Sequence, residues 1–351
     1  MVRVGLIGFG LAGQAFHAPV IRGVPGMELA CILERRGSKA GEMYPKVRVA
    51  RTLDEMLSDK SIALCVVATP NDSHFPYAKA CLEAGRDVVV DKPFTPTLAE
   101  AEQLVRLAAD RGRMVTAYQN RRWDGDFQTV KQLVKSGALG RVAEYEARFD
   151  RFRLEAKPNA WREKSSVPAA GVLWDLGPHL IDQALVLFGE PQSIWAQAIR
   201  QRETSEVDDA FDVLMEYPHM RAMLRARIIA YAPGAHMLLH GTEGSFFKYG
   251  MDPQEEILRS DSRPDGLDWG ANWGLEPEDR WGTLSRVGEK PQNVKTERGD
   301  YRGFYANVRD AIEKKSALKV TPEQALRTMR GVVLAQKSSR EGRIVRWDEA
   351  V

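Results

Sequence analysis

Two polar residues four positions apart, Asp175 and His179, have the types and spacing that proton transfer uses. In a helix they share one face, where the carboxylate can orient the imidazole as a general acid or base. Pro178 is tolerated only in a first helical turn, so we expect the helix to begin near Asp175. For an isolated pair, a helix-terminal aspartate beside a core histidine is the alternative. The spacing also suits a metal ion, but no third ligand is near, so we expect none.

Two loops follow predicted buried strands, at the sheet edge where open α/β sheets bind ligands. The first loop supplies Thr69, Pro70, Asn71 and His74, and the second supplies Lys92 and Pro93. Pro93 restricts the backbone of Lys92, which follows the apolar run 88–90 directly. These loops are predicted to bind a ligand, and an ordinary surface charge is the alternative for Lys92.

A glycine-rich turn follows the first apolar run and precedes a helical pattern, which is the context of a dinucleotide-binding turn. Its residues are Gly8, Phe9, Gly10, Leu11, Ala12 and Gly13. Gly8 permits the tight turn, Gly10 lets a pyrophosphate approach the backbone, and Gly13 lets the helix pack on the strand. The helix N-terminus adds amide donors and a positive dipole. A glycine turn without a ligand is the alternative.

Residues at the end of the second predicted strand should recognise the adenosine ribose. Glu34 can accept hydrogen bonds from both ribose hydroxyls, which favours NAD. Arg35 and Arg36 can pair with a 2′-phosphate, which favours NADP if Glu34 turns away or pairs with an arginine. Solvated arginines are the third possibility. We therefore predict NAD or NADP, with the phosphate preference open.

Arginines interleaved with tryptophans and other polar groups suit hydrogen bonding and stacking against a sugar-like polyol, although stacked arginines also occur on ordinary surfaces. The candidates for substrate binding are Asn120, Arg122, Trp123, Arg151 and Arg153, with Trp161 and Arg162 forming a third such cluster.

The elements that must position these residues change in character along the chain. Residues 1–118 alternate apolar strands with helical patterns, which predicts a doubly wound parallel sheet. The predicted strands are 2–7, 27–33, 62–68, 87–90 and 114–117, and the predicted helices are 12–22, 73–84 and 98–111. Thr97 and Glu100 form a capping-box pattern for the last of these helices.

Residues 119–351 read as a second domain with short turns between strands, which favours an antiparallel sheet. The predicted strands are 141–152, 194–199, 210–217, 221–229 and 236–241, and the predicted helices are 124–136, 301–314 and 322–339. The stretch 259–300 is poor in aliphatic residues and is predicted to be a long irregular loop.

Composition sets the outer limits. A chain of 351 residues suggests about two domains. Its 50 Lys and Arg nearly balance 48 Asp and Glu, which argues against electrostatic binding to nucleic acid or to a membrane. Three cysteines without a CxxC pair indicate neither a disulfide scaffold nor a zinc site. With no signal-peptide pattern, we expect a cytoplasmic protein.

Taken together, these residues resemble the glucose–fructose oxidoreductase, inositol dehydrogenase and rhizopine-catabolism (Gfo/Idh/MocA) family over essentially the whole chain. The segments that carry the resemblance are 8–13, 69–74, 91–93 and 175–182. The segments 16–19, 120–124, 150–153, 248–250 and 252–255 are similar to the branch that contains NADP-dependent scyllo-inositol dehydrogenases.

The resemblance implies a fold of class α/β, with an N-terminal Rossmann domain and a C-terminal α/β domain carrying a large, mainly antiparallel open sheet. It implies Lys92, Asp175 and His179 as catalytic residues and Trp161-Arg162 beside the nicotinamide. Members usually pair through the open sheet face, so a homodimer or homotetramer is expected.

The expected activity is reversible hydride transfer between a sugar or polyol, such as an inositol, and NAD or NADP. An NAD-dependent glycosidase of the same fold and a non-enzymatic dinucleotide sensor are the alternatives. The chain departs from the family pattern at four places: Asp91 replaces Glu, Ala169-Ala170-Gly171 replaces three glycines, Glu34-Arg35 replaces Ser-Arg, and Gln119 replaces His.

Overall fold

The computed structural model describes residues 1–155 and 161–351. Its strands are β1 Val2–Ile7, β2 Met27–Leu33, β3 Arg48–Ala50, β4 Leu64–Val67, β5 Asp87–Val90, β6 Val115–Ala117, β7 Val142–Asp150, β8 Ser193–Ile199, β9 Ala210–Tyr217, β10 Met220–Arg227, β11 Met237–Gly241, β12 Gly244–Lys248, β13 Gly282–Arg286, β14 Gln292–Val294 and β15 Val345–Arg346. Its α-helices are α1 Ala18–Arg22, α2 Lys39–Met43, α3 Leu53–Leu57, α4 His74–Glu83, α5 Leu98–Asp110, α6 Gly125–Ser136, α7 Val172–Phe188, α8 Gln254–Arg259, α9 Arg302–Ile312 and α10 Pro322–Glu341.

The first sheet has the order β3-β2-β1-β4-β5-β6, and every neighbouring pair is parallel. Its central strands are buried on both faces because Val, Ile and Leu fill them. The chain runs outward from β1 on one side and from β4 on the other, so strand order reverses between them. This is the doubly wound topology, which confirms the predicted Rossmann sheet, and ligands bind at such a reversal.

The helix predicted over 12–22 is divided in the structure. A π-helix covers Gly13–His17, α1 follows at Ala18–Arg22, and the Ala18 N–H bonds to the Gly13 carbonyl. The physical reason is Pro19, in the first turn of α1, which has no N–H and whose ring would crowd the carbonyl four residues earlier. The wider turn leaves His17 fully buried.

The second sheet has the order β14-β13-β12-β11-β7-β10-β9-β8-β15. All its pairs are antiparallel except β7 with β10, which confirms a mainly antiparallel sheet. Helix α7 packs on one face, where Tyr145, Phe149 and Leu224 are buried.

The prediction of an irregular loop over 259–300 is wrong in part, because β13 and β14 lie there. Both strands are short and mostly polar, and they sit at the edge of the sheet, so they lack the apolar alternation that marks a strand. A Cβ on Gly282 would meet the Phe246 ring at 2.2 Å, so β13 packs against that ring only because it carries glycine there.

Two compact units divide the chain, and each is discontinuous in sequence. The first consists of Met1–Asn120, Gln254–Trp273 and Asp300–Leu326, and the second of Arg121–Pro253, Gly274–Gly299 and Arg327–Val351. The assignment of 1–118 and 119–351 as two domains stays a prediction. Within the described residues, no helix has the length and apolar character that crossing a membrane requires.

Candidate coenzyme-binding and catalytic residues

The three glycines of the turn after β1 occupy three different environments. Gly8 has a φ of +96°, and a Cβ there would lie 2.6 Å from the Ala68 carbonyl oxygen. A Cβ on Gly13 would lie 2.4 Å from the Gly8 carbonyl oxygen, whereas one on Gly10 would meet no described atom within 4 Å. The fold therefore requires Gly8 and Gly13, and Gly10 leaves open space above the turn. That cradle fits the pyrophosphate of a dinucleotide.

The remaining residues of the glycine turn differ in burial, and Gln14 fixes the turn through hydrogen bonds. Phe9 is buried, and its carbonyl accepts a 2.6 Å hydrogen bond from the Gln14 side-chain amide. The Gln14 backbone N–H bonds to the Gly10 carbonyl at 2.9 Å. Leu11 is exposed and Ala12 is partly exposed, so the outer rim of the turn is accessible.

Glu34, at the end of β2, is buried and held within its own loop. Its Oε2 accepts a 3.2 Å hydrogen bond from the Ala40 backbone N–H and lies 4.0 Å from the Arg51 guanidinium. Arg51 also donates to the Glu34 carbonyl at 2.7 Å. Arg35 and Arg36 are exposed. Glu34 is thus paired with Arg51, a partner that the sequence analysis did not identify. The exposed Arg35 and Arg36 follow Glu34 directly in the sequence.

His74 joins the two loops that the sequence singled out. Its Nδ1 lies 2.8 Å from the Pro93 carbonyl oxygen, and its Nε2 lies 2.9 Å from the Thr69 carbonyl oxygen. Asn71 is buried at the start of a short 3₁₀ turn, and Pro70 is exposed. Because both ring nitrogens face backbone carbonyls, His74 fixes the loops after β4 and β5 to each other.

Asp91 and Lys92 form the turn at the end of β5. The Lys92 backbone N–H donates a 2.8 Å hydrogen bond to Oδ1 of Asp91, and the Lys92–Pro93 peptide is cis. Burial acts to raise the pKa of Asp91, but the neighbouring His17 and the charges of Lys92 and His74 hold it below its usual range. Asp91 is therefore a buried carboxylate that stays ionised beside the partly exposed Lys92.

Helix α7 begins at Val172, three residues before the predicted start, so that prediction is wrong and Pro178 lies inside the helix. The reason is a cap from a distant residue, Asp208. Its carbonyl accepts from the Val172 N–H at 2.9 Å, and its Oδ2 accepts from the Leu173 N–H at 2.7 Å. These bonds satisfy the first two N–H groups of the helix and allow it to start early. Burial raises the pKa of Asp208 to about 6.

Asp175 and His179 both lie on α7, as predicted. Asp175 is partly exposed, and its Oδ1 lies 3.2 Å from Nε of Arg162. His179 is buried, with its ring centroid 6.4 Å from that of Phe149. The Arg162 guanidinium also stacks on the Trp161 ring, 4.2 Å from its centroid. Arg162 thus forms an ion pair with Asp175. The sequence analysis missed this contact because the two residues lie in different helical segments.

Two of the arginines proposed for substrate binding have carboxylate partners. Arg122 is buried and donates two 2.7 Å hydrogen bonds to Asp182. Arg153 pairs with Glu163, which also accepts a 3.2 Å bond from Arg202.

The other three candidates differ in exposure. Trp123 and Arg151 are partly exposed, and Asn120 is buried. The substrate-binding role of all five residues stays a prediction. Among the described residues, no cluster of three His, Cys, Asp or Glu side chains could hold a metal ion.

Comparison with known protein families gives two matches that together cover most of the chain. Residues 2–119 match the oxidoreductase family with an NAD-binding Rossmann fold (GFO_IDH_MocA). Residues 131–346 match the oxidoreductase family C-terminal alpha/beta domain (GFO_IDH_MocA_C).

Individual relatives extend over almost the full length. The chain is 42% identical to the uncharacterized oxidoreductase YdgJ of Escherichia coli, covering 97% of this chain and 96% of that protein. It is 35% identical to scyllo-inositol 2-dehydrogenase (NADP(+)) IolW of Bacillus subtilis, covering 98% and 95%. The crystal structure of an oxidoreductase from Bacillus cereus is similar with a TM-score of 0.88 and 30% identity, covering 100% and 99%.

Proposed function

Because the chain belongs to the Gfo/Idh/MocA family of oxidoreductases, we propose that it transfers a hydride reversibly between a sugar or polyol carbinol, of the inositol type, and a nicotinamide coenzyme. The observation that carries this proposal is the full-length similarity to a relative named scyllo-inositol 2-dehydrogenase. The glycine cradle at Gly10 and the ionisable residues Lys92, Asp175 and His179 support it.

The proposed roles follow from the chemistry of each side chain. A bound nicotinamide supplies the carbon that accepts or returns the hydride. In the oxidation direction, His179 accepts the proton of the substrate hydroxyl as the carbonyl forms. Asp175, held by Arg162 at 3.2 Å, orients that imidazole. The Lys92 ammonium donates a hydrogen bond to the substrate oxygen and stabilises its developing negative charge.

The test is a matrix of NAD⁺ and NADP⁺ against inositols, aldoses and their oxidised forms. For the substrate that turns over, Lys92→Ala and His179→Ala should each reduce kcat by about 10²–10⁴-fold, the usual contribution of a general acid or base. Coenzyme binding, followed by NAD(P)H fluorescence, should persist in both variants. A variant with near-native kcat would remove its residue from the mechanism, and a matrix with no turnover would refute the proposal.

We further propose that NADP is the preferred coenzyme. A carboxylate near the ribose would repel a 2′-phosphate unless it is tied elsewhere. Glu34 is tied to the Ala40 N–H and lies beside Arg51, so its charge is compensated within the loop. Arg35 and Arg36 then supply guanidinium groups for the phosphate. The relative IolW is named for NADP(+).

We also propose that two copies of this chain pair through the open face of the second sheet. A row of partly exposed apolar side chains crosses this face, interrupted by Glu146: Trp195, Leu214, Met223, Leu238 and Phe247. The flanking rows carry both signs of charge, including Arg225 3.2 Å from Asp212. An apolar centre flanked by mixed charges is self-complementary, as a twofold interface requires.

A further inference from the structure

A fully buried histidine, His17, lies between two ionisable partners behind the turn that carries Lys92. Its Nδ1 is 2.6 Å from the Tyr305 hydroxyl, and its Nε2 is 3.8 Å from Oδ2 of Asp91. Asp91 in turn accepts the Lys92 backbone N–H at 2.8 Å. Tyr305, His17 and Asp91 thus form a buried chain that ends at Lys92.

The direction of the hydrogen bonds along Tyr305, His17 and Asp91 follows from what each group can donate. Nε2 of His17 lies 3.8 Å from the Asp91 carboxylate and has no hydrogen-bond partner among the described residues, and a carboxylate, which only accepts, favours a proton on the nitrogen that faces it. In the neutral ring Nδ1 is then an acceptor, and Tyr305 donates to it. Burial raises the pKa of Tyr305 well above its usual value, so its hydroxyl keeps the proton. Every donor therefore points toward Asp91.

The other groups packed around Tyr305, His17 and Asp91 do not replace His17 between the tyrosine and the carboxylate. Tyr118, after β6, packs against the His17 ring in a tilted geometry with centroids 4.3 Å apart, and its hydroxyl donates a hydrogen bond to the Phe16 carbonyl. Besides His17, the groups that act electrostatically on Asp91 include Lys92 and His74. Helix α8 packs against the π-helix, and its Glu255 pairs with Arg259 at 3.0 Å.

We propose that His17 is a positioning residue for the reaction, which holds the Asp91 carboxylate ionised and in place so that Asp91 orients Lys92. This rests on the proposed role of Lys92. The π-helix makes the arrangement possible, because it buries the His17 side chain. The sequence analysis noted His17 only as part of the segment 16–19, which is similar to one branch of the family. Removing His17 should raise the pKa of the buried Asp91 carboxylate, because burial then acts without the opposing effect of the histidine.

The test uses two readouts on the full-length protein. Selective ¹⁵N-lysine labelling, with assignment by Lys92→Arg, follows the Lys92 amide that donates to Asp91. In His17→Phe this resonance should move and should titrate at a higher pH than in the wild type, because the pKa of Asp91 rises. In turnover of scyllo-inositol with NADP⁺, kcat should fall about tenfold, the equivalent of one charge-assisted contact, while KM for NADP⁺ stays unchanged.

His17→Gln, whose amide can still donate toward Asp91, should recover most of the wild-type amide position and kcat. Tyr305→Phe, which removes only one hydroxyl, should cause a smaller shift in the same direction. His236→Phe is the matched control. His236 is a buried histidine 3.4 Å from Asp126, and it lies in the second unit, so the Lys92 amide should keep its wild-type position and titration in this variant.

An unmoved Lys92 amide in both His17→Phe and Tyr305→Phe would overturn the proposal, as would a His17→Gln variant no better than His17→Phe. If His17→Phe does not fold, Tyr305→Phe and His17→Gln still decide. If the wild type oxidises no polyol or sugar, the proposed function fails, and the lysine amide still reports whether His17 acts on Asp91.

Discussion

Arg122 and Asp182 form a buried, two-point ion pair. Nε and Nη2 of Arg122 donate to the two carboxylate oxygens of Asp182 at 2.7 Å each, and Thr328 adds a 3.1 Å bond to Oδ1. This pair ties the segment before α6 to the middle of α7, the helix that carries His179. It therefore contributes to the position of a proposed catalytic group without needing to touch a substrate.

Arg122→Ala should lower the free energy of unfolding by about 3–5 kcal/mol, because it leaves Asp182 as a buried charge without its main partner. Arg122→Lys should also destabilise, since an ammonium cannot reproduce the planar two-point geometry. Equilibrium urea unfolding measures both. Arg346→Ala, which breaks an exposed pair with Asp348, is the control and should change little. A stable Arg122→Ala would show that the pair is dispensable to the fold.

The glycine turn predicts a separation of stability from coenzyme binding. Gly10→Ala should keep the wild-type melting temperature, since no described atom lies within 4 Å of the added Cβ, yet weaken coenzyme binding about tenfold or more. Gly13→Ala should lose about 1–3 kcal/mol of stability, because its Cβ meets the Gly8 carbonyl. Thermal unfolding and NADPH fluorescence titration measure the two effects. Equal losses of binding and stability in Gly10→Ala would contradict this.

Coenzyme preference should depend on Arg51 through Glu34. Arg51→Met frees the Glu34 carboxylate to repel the 2′-phosphate, so kcat/KM for NADP⁺ should fall about 10- to 100-fold while the value for NAD⁺ changes less. Arg48→Met is the matched control, because Arg48 contacts Glu55 and not Glu34. Adding Glu34→Ser to Arg51→Met should restore NADP⁺ use. A double variant as poor as Arg51→Met alone would exclude the repulsion.

The cap of α7 predicts a pH effect on stability. The folded pKa of Asp208 is raised to about 6, above the unfolded value, so the folded state holds this proton to higher pH. The stability it contributes is present below the unfolded pKa and is lost as the pH rises through about 6. Relative to Asp208→Asn, the wild type should therefore lose about 2–3 kcal/mol between about pH 4 and pH 7. Urea unfolding across that range should show this slope, and a pH-independent difference would contradict it.

The open sheet face predicts the oligomeric state. Met223→Lys and Leu238→Lys each place a charge in the apolar row, so both should shift the mass measured by light scattering toward the monomer. Val287→Lys is the control, because Val287 is 85% exposed and lies outside that row. An unchanged mass in both row variants would exclude this face as the interface.

Several buried strands were predictable from their runs of apolar residues. The bounds of β1, β2, β5 and β9 match the predictions to the residue, because most residues of each strand are apolar and the few charged ones, such as Arg3, Glu28 and Asp212, lie at partly exposed positions. The capping box of Thr97 and Glu100 was also predictable and is present, since it is entirely local.

What the sequence could not reveal depends on partners distant in the chain. Asp208 caps α7 from 36 residues beyond the first amide it binds, and so the expectation from Pro178 alone placed the helix start too late. Arg122 has its partner 60 residues away. The candidate catalytic residues could be singled out because Asp175 and His179 have a local four-residue spacing and Lys92 directly follows an apolar run, whereas the groups that hold them in place have no such local pattern.

The divided make-up of the first unit has a consequence for how the chain folds as it is synthesised. His17 and Thr116 bond to Tyr305 and to the Val320 carbonyl, so their partners emerge from the ribosome roughly 200 residues or more after them. At about 5–20 residues per second, the nascent Rossmann sheet waits at least about ten seconds for these contacts. A fragment ending at residue 120 would carry a buried histidine without its tyrosine, and is therefore a poor vehicle for studying coenzyme binding in isolation.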